Sequence, residues 1–397
     1  MTWETIPLKR ITTFTSGGTP SVDEPEYWTD QNDGYPWVAI GDMSTVDKVT
    51  TTARRITDRG LRSARIKLGK PGTILFTMYA SLGHTASLTA PAAWNQAILG
   101  LWPASTTDVR FLRYSLISIR PQLLEQVRSN TQANLNAEVV GNLRVPHPPL
   151  DEQRRIADFL DAETARIDHL IKAQQSALEL IDERRKRVLD DILIPDNAAW
   201  IPLGYVTEYC RPIMYGIVLP GPNVEEGVPI VKGGDVAAGR LSLAQLNKTT
   251  YEIEANYTRS RLKGGDLVIA IRGSVGEVAR VPDEIEGANL TQDAARIAPG
   301  PNIEARWLEL VLEAPTLQER IGGRITGATV KGINIWDLRR VLIPQISLAQ
   351  QSQAVKAAEG VLATMDDFVS SAKRQLGLLA ERRQALITAA VTGGITV

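Results

Sequence analysis

The sequence predicts an α+β protein: two tandem α/β units joined and spaced by two long antiparallel helices (a coiled coil), the whole an internal pseudo-two-fold duplication. Three observations predict it. Leu143–Pro195 falls without a gap on Val341–Gly393 at a shift of 198 residues, so that Asp151-Glu152-Gln153 meets Ala349-Gln350-Gln351 and Glu183-Arg184-Arg185 meets Glu381-Arg382-Arg383; repeats on this scale decide architecture before local propensity does. Each copy opens on a proline-marked turn and then runs proline-free, from Pro149 to Pro195 and from Pro344 onward, as long helices do. The stretches ahead of these helices carry matching turn and strand signals at a shift of 193. The implied division is 1–145 for the first globular unit, 146–199 for the first helical spacer, 200–343 for the second unit and 344–397 for the second spacer.

In chain order, Ile6-Pro7-Leu8 starts the first unit and the turn Ser16-Gly17-Gly18-Thr19-Pro20 follows. Pro36–Met43 reads as a short strand, Gly72–Ser87 as strand, turn and strand, and Gln96–Trp102 as another strand. Arg110–Val127 is apolar at helical spacing, with Pro121 breaking or kinking it. The second unit answers in diverged letters: Ile201-Pro202-Leu203 for Ile6-Pro7-Leu8, Pro229–Val236 for Pro36–Met43, Gly265–Ala279 for Gly72–Ala86, and Gln292 and Ile297 for Gln96 and Leu101.

Apolar residues recur at three- and four-residue steps along both spacers, which gives each helix one stripe. The seam is expected to use Ile156, Leu160, Ile167, Leu170, Leu178 and Ile181 from the first, and Leu362, Met365, Phe368, Leu376 and Leu379 from the second. A stripe this long must be covered, and burying one copy against the other, antiparallel, covers both. At about 1.5 Å per residue such a helix spans roughly 65 Å. Asp151 and Ser347 are the expected N-caps, and Gly393-Gly394 the stop.

Composition bounds the chemistry. At 397 residues, 43% hydrophobic and 22% charged, the chain reads as a soluble globular protein of two to three domains. Its single cysteine, Cys210, excludes a disulfide framework and fits a reducing cytoplasm. Met1–Arg10 lacks the apolar core of a signal peptide, and the uncharged run Pro71–Thr107 is too interrupted by Gly, Pro, Asn and Gln to span a membrane. Net charge is −1, distributed over the four segments as +3, −4, −1 and +1, so any nucleic-acid surface is local. No G-x-G pair and no Walker A pattern occurs. No lysine has an acid two residues before it, and Pro148-Pro149 lacks the aromatic of an amino-methyltransferase loop. The three histidines are too scattered for a metal set. The chain is not expected to be an enzyme.

The entry to the first spacer, Val145-Pro146-His147-Pro148-Pro149-Leu150-Asp151-Glu152-Gln153-Arg154-Arg155-Ile156, resembles the hallmark of specificity subunits of Type I restriction-modification systems. So do Pro71–Met78 with Gly83, and Gly264–Val268 with Gly273 and Gly276. The likeness covers the whole chain, although the second spacer has Ala349-Gln350-Gln351 and no Glu-Gln pair. It implies a non-catalytic subunit with two target-recognition domains, each reading half of a split, asymmetric site in double-stranded DNA, while the paired helices fix the spacing. It also implies two methyltransferase subunits and motor–nuclease subunits as partners, with methyl donor, ATP and Mg²⁺ on those partners, none in this chain, and no membrane.

Base reading needs polar side chains on a rigid frame, and phosphate contacts set register. The turns Tyr79–His84 and Arg272–Glu277 align with serine and glycine kept (Ser81/Ser274, Gly83/Gly276) and the rest changed, Tyr79 to Arg272 and His84 to Glu277. The basic run Arg54, Arg55, Arg59, Arg62, Arg65, Lys67 and Lys70, against Asp58 alone, is the phosphate-contact candidate of the first unit. Lys248, Arg259, Arg261 and Lys263 are its weaker counterpart. Lys331, with Gln132 and Asn134, faces either DNA or a methyltransferase. Two other readings stay open: a duplicated coiled-coil scaffold that never touches DNA, and a DNA-reading module of a related single-chain restriction–methylation system.

Overall fold

A computed structural model describes residues 3–30, 33–44, 46–129, 135–236, 241–327 and 331–397. The chain divides into two compact units, Met1–Gln174 with Arg374–Val397, and Gln175–Lys373. The second repeats the first nearly element for element.

In the first unit a five-stranded sheet runs in the order Thr12–Ser16, Ile98–Pro103, Ile74–Thr77, Thr85–Leu88 and Lys48–Val49. A four-stranded sheet follows the order Trp28–Thr29, Arg54–Ile56, Tyr35–Val38 and Ala93–Trp94. A ribbon of Thr5–Pro7 with Arg144–Pro146 closes the unit at the foot of the first spacer. In the second unit the corresponding sheets are Met214–Tyr215, Ala294–Ile297, Leu267–Ala270 and Val278–Arg280, and Asn247–Thr249, Val228–Val231 and Asn289–Leu290. Its ribbon pairs Ala199–Pro202 with Leu342–Gln345. Register repeats as well: Gly100 faces Leu75 in the first sheet and Arg296 faces Val268 in the second.

Two expected elements differ. Pro36–Met43 is strand only over Tyr35–Val38; Asp42 Oδ2 then accepts Ala39 N–H at 2.8 Å and turns the chain into the short helix Ile40–Met43. Asp235 does the same to Lys232 N–H at 2.9 Å. The helix Val109–Ser129 is unbroken through Pro121. Proline leaves the carbonyl four residues earlier without its donor, and Gln384 Nε2 supplies one to Ile117 O at 3.2 Å. The second unit breaks here instead, into Ala305–Glu313 and Pro315–Gly322.

The long helices are Leu150–Leu193 and Leu348–Thr392. Each unit contains one antiparallel stretch of the pair. In the first, Ile156, Ala157 and Leu160 share a core with Ile387, Ala390, Val391, Phe111 and Tyr114. In the second, Leu189 and Leu193 share one with Val355, Ala358 and Leu362. The inward positions alternate by four and three residues from Gln153 to Ile192 and from Gln351 to Ala390, the 3.5-residue period of a left-handed coiled coil. Ile167 and Met365 are buried on it, and Leu178, Ile181, Leu376 and Leu379 half-buried. Leu170 is not in the seam: it is 52% exposed, and Ile171 holds the inward position. Phe368, 41% exposed, likewise yields to Val369 and flanks an apolar cavity with Ile181 and Met365. Ser347 caps the second helix, its Oγ accepting Gln350 N–H, and Gly393 ends it at φ 77°. Asp151 is no cap; it sits inside the first turn.

Candidate nucleic-acid interface

The hairpin turns of the larger sheets are one frame built twice. Gly83 N–H donates to Thr77 O and Gly276 N–H to Ala270 O, both at 3.0 Å. His84 N–H donates to Ser81 O at 3.1 Å, and Glu277 N–H to Ser274 O at 3.2 Å. The glycines are required: φ is +70° and +97°, and a Cβ on Gly276 would lie 2.5 Å from Gln318 Oε1. From the neighbouring helix, Arg120 Nε donates to Leu82 O at 2.9 Å and Gln318 Nε2 to Gly276 O at 2.8 Å. On this frame Tyr79 and Ser81 in one unit, and Arg272 and Ser274 in the other, are exposed. Ala80 and Ser81 have positive φ, which puts local backbone strain at the first tip. Arg272 lies 4.0 Å from Asp293. Lys331 is exposed beside this turn, its carbonyl accepting Gly273 N–H at 3.3 Å.

His84 departs from the expectation. It is half-buried, and its Nε2–H donates to Met43 O at 2.6 Å. Burial holds its pKa below the ordinary value, against that hydrogen bond, which raises it. It positions the turn rather than presenting a reading group.

The basic run spreads over strand Arg54–Ile56, helix Asp58–Ser63 and the loop after it. Three of its members are engaged: Arg54 stacks on Trp28 at 3.9 Å, Arg55 donates to Gly34 O, and Arg59 pairs with Glu26. Lys70 lies 5.8 Å from the Trp102 ring. Arg62, Arg65 and Lys67 are exposed and make no ion pair among the described residues, so they are the cations the run offers outward. The second unit keeps the scaffold and drops the charge. Thr57 accepts Gly60 N–H and Thr250 accepts Ile253 N–H, both as N-caps, but Glu252 and Ala255 stand where the first unit has Arg59 and Arg62. Lys248 Nζ donates to Glu225 O at 3.0 Å. Arg261 is not available either: Nε and Nη2 grip Glu254 at 2.6 and 2.5 Å, which holds the Glu254 carboxyl below its usual range. Arg259 and Lys263 remain exposed without an ion pair among the described residues. Gln132 and Asn134 lie outside the described residues.

Sequence reasoning missed the residues that anchor each unit to its spacer. Gln153 is fully buried; its Oε1 accepts Asp108 N–H at 2.8 Å, and its Nε2 donates to Thr106 O and Pro148 O at 3.2 and 2.8 Å. Gln351 repeats this with Glu304 N–H at 2.8 Å, Asn302 O at 3.1 Å and Ile346 O at 3.0 Å. Arg110 with Asp161 and Arg306 with Glu359 are a second matched set, at 2.8 and 3.0 Å. In the seam, Arg383 pairs with Asp168 at 2.9 Å and Arg185 with Asp366 at 2.7 Å. The signal was in the repeat: each of these residues has its partner copy at the same shift of 196 or 198. The missing Glu-Gln pair of the second spacer costs nothing here, because the glutamine that does the anchoring is present in both.

Among the described residues no cluster of His, Cys, Asp and Glu is arranged to hold a metal ion, and no helix is long and apolar enough to cross a membrane.

Residues 1–180 match the family model of the Type I restriction modification DNA specificity domain. The chain is 23% identical to the Type I restriction enzyme EcoBI specificity subunit of Escherichia coli, over 99% of its own length and 86% of that protein's. A solved chain described under complex assembly and conformational transition of the type I R-M system has a TM-score of 0.77 at 20% identity, covering 99% of this chain and 98% of that one. The HsdS subunit from Thermoanaerobacter tengcongensis has a TM-score of 0.55 at 19% identity, covering 99% and 97%. The resemblance expected from the proline-led helix entry is borne out, as is the fold class.

Proposed function

We propose, from the premise that this chain is related along its whole length to Type I restriction enzyme specificity subunits, that it is the non-catalytic DNA-reading subunit of such an enzyme. Each unit reads one half of a split, asymmetric target in double-stranded DNA, and the paired helices set the separation of the halves. Two methyltransferase subunits dock on the chain and motor–nuclease subunits complete the restriction enzyme, in the cytoplasm. Methyl donor, ATP and Mg²⁺ are theirs.

One observation carries this reading: two hairpin turns with the same backbone hydrogen bonds, each held by a side chain of the neighbouring helix, expose different chemistry, Tyr79 and Ser81 against Arg272 and Ser274. A pure scaffold has no reason to hold a frame constant and vary its outward groups. Readers of two unlike half-sites require it. The test exchanges residues 1–145 for the recognition unit of another specificity subunit and sequences the methylome of a host carrying the methyltransferase. One half of the methylated target changes and the other stays. A change in both halves, or in neither, refutes the modular reading.

A further inference from the structure

The second unit contains a cationic cavity of about 430 Å³. Its wall is built around Arg296, in the middle of strand Ala294–Ile297 and 1% exposed. Among the described residues the Arg296 guanidinium makes no hydrogen bond or ion pair with a carboxylate. Nη1 donates to Arg259 O and Arg261 O at 2.7 and 3.0 Å, and Nη2 to Pro212 O at 3.2 Å, while Nε has no partner. These three carbonyls belong to the segments that form the cavity rim, so the buried charge also fixes the rim's shape. The other cations divide into two kinds. Arg211 is neutralised by Asp266, and Arg261 by Glu254. Arg259 and Lys263 line the cavity with exposed side chains and no ion pair among the described residues, and Glu286 is the one acid on the lining.

Hydrogen-bonded only to carbonyls, the guanidinium holds its charge in a medium that disfavours it: burial and then Arg211 lower its pKa, and Asp266 and Glu208 offset this only in part. An anion with several acceptor oxygens offsets that penalty best, and phosphate suits guanidinium and ammonium donors together. The equivalent strand position in the first unit is Gly100, where a Cβ would lie 2.3 Å from the Trp94 ring. There the space is filled with indole, and the cations of that unit are on the basic run instead. We propose that this cavity binds a phosphate group, presented by the DNA backbone at the half-site which the second unit reads; the proposal rests on the DNA-reading function above. It narrows the second unit's expected phosphate contact from Lys248, Arg259, Arg261 and Lys263 to Arg259 and Lys263, on a rim held in place by Arg296.

The test compares the full chain with its R259Q/K263Q variant and with a K356Q/K373Q control, two exposed lysines on the second long helix. With the methyltransferase subunits bound, duplex affinity is measured against salt. Loss of one phosphate contact lowers the log–log salt slope by about one and weakens target and non-target DNA alike; the control does not. Cys210, the sole cysteine, is exposed on the same lining, so duplex DNA slows its alkylation by a neutral maleimide in the parent chain and not in R259Q/K263Q. A second arm titrates inorganic phosphate into the full chain alone. Phosphate binding lost in R259Q/K263Q with an unchanged salt slope assigns the cavity to free phosphate rather than to DNA. No change in slope, alkylation or phosphate binding overturns the proposal. If the parent assembly fails to bind duplex DNA at all, the DNA-reading function fails, and the phosphate arm still decides the cavity.

Discussion

Replacing Gln153 tests whether the sheets of the first unit and the long helix Leu150–Leu193 are joined by a specific polar anchor or merely by apolar packing. Gln153→Leu keeps the volume and removes three hydrogen bonds, to Asp108 N–H, Thr106 O and Pro148 O. At about 1 kcal/mol net for each bond, the loss is about 3 kcal/mol, more if the orphaned carbonyls stay buried. Gln153→Glu is the sharper variant, since it turns an acceptor carboxylate toward two carbonyl acceptors. Such a carboxyl has a folded pKa raised above its unfolded value of about 4.3. Its deficit relative to Gln therefore is small below that value and grows as pH rises through it, because the unfolded state releases the proton first. The two compact units need not unfold together, so the readout is native-state hydrogen exchange at the start of the first spacer, with the start of the second spacer as internal reference. Gln351→Leu should produce the mirror-image result. A loss under about 1 kcal/mol for Gln153→Leu, or a pH-independent deficit for Gln153→Glu, refutes the anchor.

Three further outcomes follow from the geometry. Gly276→Ala forces a Cβ into Gln318 at a φ of +97° and should destabilise the second unit by about 1–3 kcal/mol, measured by urea unfolding, with duplex binding through that half-site weakened. His84 is held neutral by burial, so the unfolded chain takes up its proton first on acidification: stability is lost as pH falls below about 6.5, and His84→Gln should flatten that part of the pH–stability curve. Arg383 is less exposed than Arg185 and reaches both Asp168 and Asp47. A double-mutant cycle on Arg383 and Asp168 should therefore give the larger coupling, within about 0.2–1 kcal/mol, and equal or reversed couplings would count against the seam network.

The duplication, the sheet strands and the helix pair were legible because they depend on periodicity and on a repeat that the chain states twice. What was not legible depends on partners distant in sequence. Nothing near Pro121 reveals that Gln384 will donate to Ile117 O, so a break was expected where the helix continues. Nothing in the run Arg54–Lys70 shows that Glu26 neutralises Arg59 or that Trp28 carries Arg54. Leucine at a three-residue step from Ile167 satisfies a helical stripe, which points to Leu170 for the seam. Only a strict alternation of four and three selects Ile171, and that alternation becomes readable once both helices are counted from the buried glutamines.

The same contrast explains which residues a duplicated chain can change. Side chains that satisfy the unit's own backbone, such as Gln153 and Gln351 or Thr57 and Thr250, are held by bonds whose loss leaves buried groups unpaired, so both copies retain them. Side chains that end in solvent carry no such penalty, and there the copies diverge: Tyr79 becomes Arg272, Arg62 becomes Ala255. Gly100 and Arg296 are an interior position where the copies take different chemistry, indole over glycine against a buried guanidinium, as they do where buried Arg113 answers buried Glu309. At Arg296 such a change is costly for folding, since a guanidinium buried with hydrogen bonds to carbonyls alone is disfavoured, though Asp266 and Glu208 support its charge from nearby. A chain that had kept its second unit only for shape would have filled this space as the first unit does, with carbon.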